Sequence, residues 1–157
     1  MPDDDEDDVG VRVAALGEAP VARGLLLLAE MSSEGNLLTG EYTRKCVDVA
    51  RQHRDFVLGF IAQRSLNSEP EDNFVAFTPG VSLPPAGEED GGSGGKEKRG
   101  DGLGQQYNTP RKVVLEEGCD VVIVGRGILG VRDKKGEAER YRREAWGAYE
   151  ERIGTKK

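Results

Sequence analysis

The chain has 157 residues, 36% of them hydrophobic and 32% charged, with a net charge of −7. That length suits one domain with a single core and falls short of the roughly 250 residues of a complete eight-stranded βα barrel. The acidic balance argues against a general nucleic-acid partner, because phosphate backbones attract clustered Lys and Arg.

Part of the charge is local. Asp3, Asp4, Asp5, Glu6, Asp7 and Asp8 form one acidic run, and residues 1–22 are expected to be a disordered acidic segment. No basic stretch leads into an apolar core there, so no secretory signal is expected. The longest apolar run, Leu25 to Ala29, is far below the roughly 20 residues of a membrane helix. A soluble cytoplasmic protein with no membrane partner is the expectation.

From residue 24 the pattern becomes regular. Gly24 to Met31 is a nearly continuous apolar run and reads as a buried strand. Thr39 to Arg54 comes next, with Tyr42, Cys46, Val49 and Ala50 at helical spacing, Thr39 as the expected N-cap and Glu41 in the first turn. Phe56 to Ala62 is a second apolar run, then Ser65 to Asp72 is short and polar with at most a weak helix, and Phe74 to Thr78 is a third strand.

Ser82 to Gly104 breaks the rhythm with eight glycines in 23 positions. Such a segment can be a linker between domains. Only one more strand–helix unit lies beyond it, too little for a separate domain, so a mobile lid with a low-complexity insertion is the favoured reading. Thr109 to Glu117 then predicts a short helix with Thr109 as cap and Pro110 at its first position. Asp120 to Gly125 is the fourth strand, and Gly136 to Ile153 a charged helix with an apolar stripe of Ala138, Tyr141, Ala145, Trp146, Tyr149 and Ile153. Strand and helix in alternation predict an α/β fold of about four parallel strands joined by right-handed crossovers.

The two cysteines, Cys46 and Cys119, are expected to be reduced structural thiols. One histidine and no Cys/His cluster make a zinc site unexpected. Each strand ends in small or polar residues: Glu30-Met31-Ser32-Ser33, Ala62-Gln63-Arg64, Thr78-Pro79-Gly80 and Gly125-Arg126-Gly127. Ordinary turns use the same residues, but the C-terminal strand edge is also where βα barrels gather ligand chemistry.

Several segments resemble orotidine 5′-phosphate decarboxylase, particularly the fungal form. They are RGLLLLAEMSSEGNLLTGEY (23–42), FVLGFIAQR (56–64), TPGV (78–81), LGQQYNT (103–109), VVIVGRGI (121–128) and the helix RYRREAWGAYEERIG (140–154). The glycines Gly125, Gly127 and Gly130 fit no dinucleotide fingerprint, since no acidic ribose-binding position follows a second strand.

The resemblance implies the C-terminal half of a (β/α)8 TIM barrel over residues 23–154, with the insertion at 82–104. It implies a lyase of pyrimidine biosynthesis that converts orotidine 5′-phosphate to uridine 5′-phosphate (UMP) and CO2 without metal or organic cofactor. By resemblance Arg126 binds the phosphate, and a guanidinium matches phosphate oxygens with planar, charge-assisted donors. Gly125 and Gly127 would bring backbone N–H groups to the same phosphate. Tyr107 would reach the phosphate from the lid, and Gln105 would bridge lid, phosphate and base. Ser32 would bond the pyrimidine edge, and Pro79 would pack near the ring at the lid hinge. Each residue type has an ordinary alternative: a turn cap for Ser32, a hydrophobic anchor for Tyr107, a surface ion pair worth under about 1 kcal/mol for Arg126.

One departure stands out. The family's catalysis relies on alternating Lys and Asp charges (D-x-K-x-x-D) at the end of an earlier strand, and this chain contains no such motif. Asp133-Lys134-Lys135 lies on the final loop and does not complete the motif, since Ala138 stands where the second aspartate would be, and Asp101 falls in the insertion. Catalytic residues are therefore not expected in this chain, which reads as a fragment or truncated product. The family's homodimer shares an aspartate across subunits, and that residue also belongs to the absent half.

Overall fold

The computed structural model describes residues 24–84, 99–100 and 106–154. The expectations for 1–22 and for most of the 82–104 insertion, Gln105 included, lie outside the described residues.

Four parallel strands make the main sheet: β1 (Leu25–Leu28), β2 (Val57–Ile61), β3 (Val75–Thr78) and β6 (Val121–Val122), in the order β1-β2-β3-β6. Sequence order equals spatial order across the sheet, as successive crossovers of one hand require. A second, two-stranded antiparallel pair joins β4 (Arg99–Gly100) to β5 (Gln106–Tyr107). The helices are α1 (Glu41–Gln52), α2 (Arg126–Leu129) and α3 (Lys134–Gly154), with a π-helical turn at Lys112–Glu116. An α/β fold with four parallel strands, part of a βα barrel, is thus what the chain forms.

Two details differ from the sequence expectation. Gly40, at φ 56°, occupies the N-cap of α1, and no side chain caps that end. Thr39 contributes through its carbonyl, which accepts the Tyr42 N–H at 3.2 Å. The buried stripe of α1 is also turned by one position. Thr43 and Ala50 are buried, Cys46 and Val47 pack beside them, and Tyr42 and Val49 stay 43% exposed. The Thr43 hydroxyl donates to the Ala29 carbonyl at 3.0 Å, so a polar side chain can face the sheet without an unmet bond.

The other helix start agrees with its residues. Thr109 Oγ1 accepts the Lys112 N–H at 3.2 Å, and Pro110 leads the turn. The turn then widens, with the Glu117 N–H donating to the Lys112 carbonyl at 3.1 Å, a spacing of five.

Two buried clusters share the sheet. One joins Ala29, Ala50, Val57, Phe60, Ala62, Leu66 and Phe74, and the edge-on contact of Phe60 with Phe74, 5.2 Å between ring centres, lies within it. The other joins Ala76, Val81, Val113, Val114, Cys119, Tyr141 and Ala148. Both cysteines are free thiols, and burial pushes the Cys119 thiol above its ordinary range. Of the expected α3 stripe only Tyr141 is buried, with Ala148 beside it. Trp146 and Ile153 remain 54% and 51% exposed.

Candidate functional site

Parallel order puts every strand's C-terminal end at one edge. Leu28 aligns with Ile61, Ile61 with Phe77, and Phe77 with Val121, so the four ends form a row. The ladder carries the chain just beyond the strands: the Ala29, Ala62 and Ile123 N–H groups donate to Ile61, Phe77 and Thr78 at 2.9, 3.0 and 2.8 Å. The loops holding Ser32, Pro79 and Arg126 all leave from that row.

Ser32 is half-buried, four residues past β1. In the same loop the Asn36 side chain donates to Met31 and accepts the Leu38 N–H at 2.9 Å. Pro79 directly follows β3 and is half-buried. Gly125 and Arg126 begin α2 on the exposed surface, with open space beside the Gly125 Cα. Gly127 also has a packing reason. A Cβ there would collide with the Tyr141 hydroxyl, so its lack of a side chain lets α2 and α3 pack closely.

Tyr141 is legible in the sequence only as one member of an apolar stripe. Its buried hydroxyl accepts the Leu83 N–H at 2.9 Å, so α3 holds the start of the long insertion. Arg140 adds a 2.6 Å bond to the Pro84 carbonyl. At the base of that insertion the Asn108 N–H donates to Gly80 at 2.9 Å, and the Ser82 N–H donates to Asn108 at 2.9 Å. Gly80 sits at φ 74°, a conformation open to glycine and costly for other residues. Above this stem β5 pairs with β4, matching Tyr107 with Arg99. Tyr107 is thereby one residue from a neck that is tied to the loop of Pro79.

Glu30 is a second residue that the sequence pattern does not single out. Its carboxylate accepts the Gln63 N–H at 3.1 Å and pairs with Arg64 at 3.1 Å, with its side chain 15% exposed. Gln63 in turn reaches the Pro79 carbonyl at 3.5 Å. The loops after β1, β2 and β3 are therefore cross-linked by polar bonds at the edge from which the loops of Ser32, Pro79 and Arg126 emerge. The position of Glu30 and of Gln63-Arg64 at strand ends is the signal the sequence offers; their pairing needs three dimensions.

No group of three or more metal-ligating side chains occurs among the described residues, and none of their helices is long and apolar enough to cross a membrane. The sequence profile of the orotidine 5′-phosphate decarboxylase / HUMPS family matches residues 8–141. The chain is 57% identical over 136 residues to the orotidine 5′-phosphate decarboxylase of Hypocrea atroviridis, covering 87% of this chain and 35% of that protein. The Aureobasidium pullulans enzyme of the same name is 54% identical over 139 residues, covering 88% and 47%. That of Phycomyces blakesleeanus is 50% identical over 144 residues, covering 90% and 49%. The chain thus spans about a third to a half of the length of these relatives.

Proposed function

The chain belongs to the orotidine 5′-phosphate decarboxylase / HUMPS family, and from that premise we propose that it carries the phosphate- and pyrimidine-binding part of an enzyme converting orotidine 5′-phosphate to UMP and CO2. The observation that carries this reading is the row of parallel strand ends, from which the Ser32, Pro79 and Arg126 loops leave side by side. Arg126 supplies a charge-assisted fork for the phosphate, with the Gly125 backbone beside it. Tyr107 and Gln105 reach the same phosphate from the insertion, which acts as a lid. Ser32 bonds the pyrimidine edge and Pro79 packs against the ring. The partner is a small nucleotide, bound without metal or organic cofactor, in a cytoplasmic enzyme whose complete form is a homodimer.

Phosphate binding accelerates decarboxylation only where its energy is realised in the transition state. In the family this requires the Lys/Asp charges at the reacting carbon, and this chain has no D-x-K-x-x-D motif. That absence favours a second reading, a nucleotide-binding module that does not turn over by itself.

Decarboxylation followed by ultraviolet absorbance, alongside calorimetric titration with UMP and with uridine, separates the readings. Turnover above an Arg126→Ala control means that this chain holds a sufficient set of charges. UMP binding without turnover supports the module. In either case Arg126→Ala is expected to weaken UMP by roughly tenfold or more, and uridine far less. Equal loss for both ligands makes Arg126 structural, and no binding of UMP sinks both readings.

A further inference from the structure

We propose that Tyr141 is a positioning residue for the phosphate, its hydroxyl fixing the turn that begins at Arg126 against the stem of the glycine-rich insertion. The inference rests on the reading of Arg126 as a phosphate ligand and extends it to a side chain that acts through others. Helix α2 is a single turn, Arg126–Leu129. One turn of helix does not hold its own place in water, so its aim is set by what it packs on. Ile128 packs on the second buried cluster, to which Tyr141 belongs. Gly127, next to Arg126, lies so close to the Tyr141 hydroxyl that a Cβ there would collide with it. The same oxygen accepts the Leu83 N–H at 2.9 Å, and Tyr141 is only 3% exposed. One atom therefore lies against both the phosphate turn and the start of the insertion.

The contacts continue to the far side of the insertion. Leu83 follows Ser82, whose N–H donates to the Asn108 carbonyl, and the Asn108 N–H donates to Gly80, both at 2.9 Å. Asn108 directly follows Tyr107, the residue assigned to the phosphate from that side. Arg140 holds the next peptide, donating to the Pro84 carbonyl at 2.6 Å. Its guanidinium is itself held by Glu137 through bonds of 3.1 and 2.8 Å. Arg126 and Tyr107 are distant in sequence, yet this path joins them through the Tyr141 hydroxyl. Holding both in place before ligand arrives removes an ordering cost that phosphate binding would otherwise carry. A nucleoside without phosphate gains nothing from it.

Tyr141→Phe removes one oxygen and keeps the ring in the core. Titration calorimetry of the full chain with UMP and with uridine tests the proposal in wild type, Tyr141→Phe, Arg126→Ala and the double variant. Tyr141→Phe is expected to weaken UMP roughly fivefold, the scale of one hydrogen bond, and uridine by less than about twofold. In the Arg126→Ala background the same change is expected to weaken UMP by less than about twofold, because the group it positions is gone. Equal weakening of both ligands by Tyr141→Phe, or an undiminished effect without Arg126, makes the hydroxyl an ordinary core bond and overturns the proposal. UMP affinity unchanged by Tyr141→Phe overturns it too. Should that variant lose its folded far-ultraviolet circular dichroism, Arg140→Ala decides in its place by loosening the stem alone. UMP-selective weakening there supports the proposal, and equal or absent weakening overturns it. The Arg126→Ala titration reads the underlying assignment separately. A UMP-selective loss at Arg126 with none at Tyr141 sinks this inference alone. Equal loss of both ligands at Arg126, or no UMP binding by the wild type, sinks the assignment and this inference with it.

Discussion

Gly127 and Asp72 show how single positions carry more than their local chemistry. At Gly127 a methyl group would enter the space of the Tyr141 hydroxyl, which is already committed to the Leu83 N–H. Gly127→Ala is expected to lower stability by roughly 1–3 kcal/mol, the usual cost of overpacking. In a Tyr141→Phe background the same substitution is expected to cost less, because the colliding atom is gone; thermal denaturation of the four proteins in the cycle measures the coupling. Additive losses would mean that the two residues do not meet. Asp72 is the hub of the polar loop between β2 and β3. It accepts Arg51 at 2.6 Å, Arg54 at 3.1 Å, and the Ser68 and Glu69 N–H groups at 3.0 Å each. Arg51 above all holds its carboxyl well below the usual carboxylate range. A depressed folded-state value means that this stabilisation is complete above the unfolded value, roughly 3.9 for a free aspartate, and is lost as pH falls below it toward the folded value. The difference in melting temperature between wild type and Asp72→Asn is therefore expected to be steady from neutral pH to about 5 and to shrink below about 4. A difference that grows on acidification would contradict the assignment.

The elements show which signals a sequence carries by itself. The four strands are legible because a parallel strand covered on both faces is apolar at nearly every position. Their lengths are not, since the ladder needs a partner. The run Val121 to Val124 is uniformly apolar, yet among the described residues only Val121–Val122 aligns as a strand, against β3, and Ile123 adds one N–H bond to Thr78. The start of α1 escapes the sequence for a similar reason: Thr39 is a good capping residue in isolation, but Gly40 takes the cap with its positive φ. Thr109 lies closer in sequence to its target, and its cap is readable. Of the residues proposed to meet the ligand, motif and position at a strand end point to Ser32, Pro79 and Arg126. The braces of Glu30 on Gln63 and Arg64 and of Tyr141 on Leu83 span 33 to 58 positions and leave no local trace. The docking of α3 has the same long-range character. Arg152 donates to the Val114 and Cys119 carbonyls at 3.0 and 2.8 Å and to Asp120 at 3.2 Å. Arg152→Ala leaves two carbonyls short of a charged donor and is expected to cost roughly 1–3 kcal/mol. Hydrogen exchange should quicken at the C-terminal turns of α3 and spare β1 and β2, whose core cluster it does not touch. Uniform acceleration would make the loss global.

At the scale of the molecule, the insertion divides into a neck and a tip. Composition alone places the whole of Ser82 to Gly104 in one category, glycine-rich and charged. Its two ends nevertheless belong to the fold. Ser82 bonds Asn108, Leu83 bonds Tyr141, Pro84 bonds Arg140, and Arg99 pairs with Tyr107 in the β4–β5 hairpin. The family resemblance gives Tyr107 a place on the phosphate, so the hairpin is the part whose loss bears on ligand. Two deletions separate these contributions. Removing Glu88 to Lys98 takes charged and glycine residues outside the hairpin and is expected to leave UMP affinity within about twofold, since loop-closure entropy changes slowly with length. Extending the deletion by one residue, through Arg99, removes the strand partner of Tyr107 and is expected to weaken UMP by roughly an order of magnitude, the scale of one charged hydrogen bond lost or misplaced. Titration calorimetry with UMP, repeated with uridine, reads both effects. The larger deletion is expected to affect UMP alone, because Tyr107 is assigned to the phosphate and not to the base. Equal weakening of uridine would move Tyr107 away from the phosphate, and a large loss with the shorter deletion would show that the tip itself holds the nucleotide.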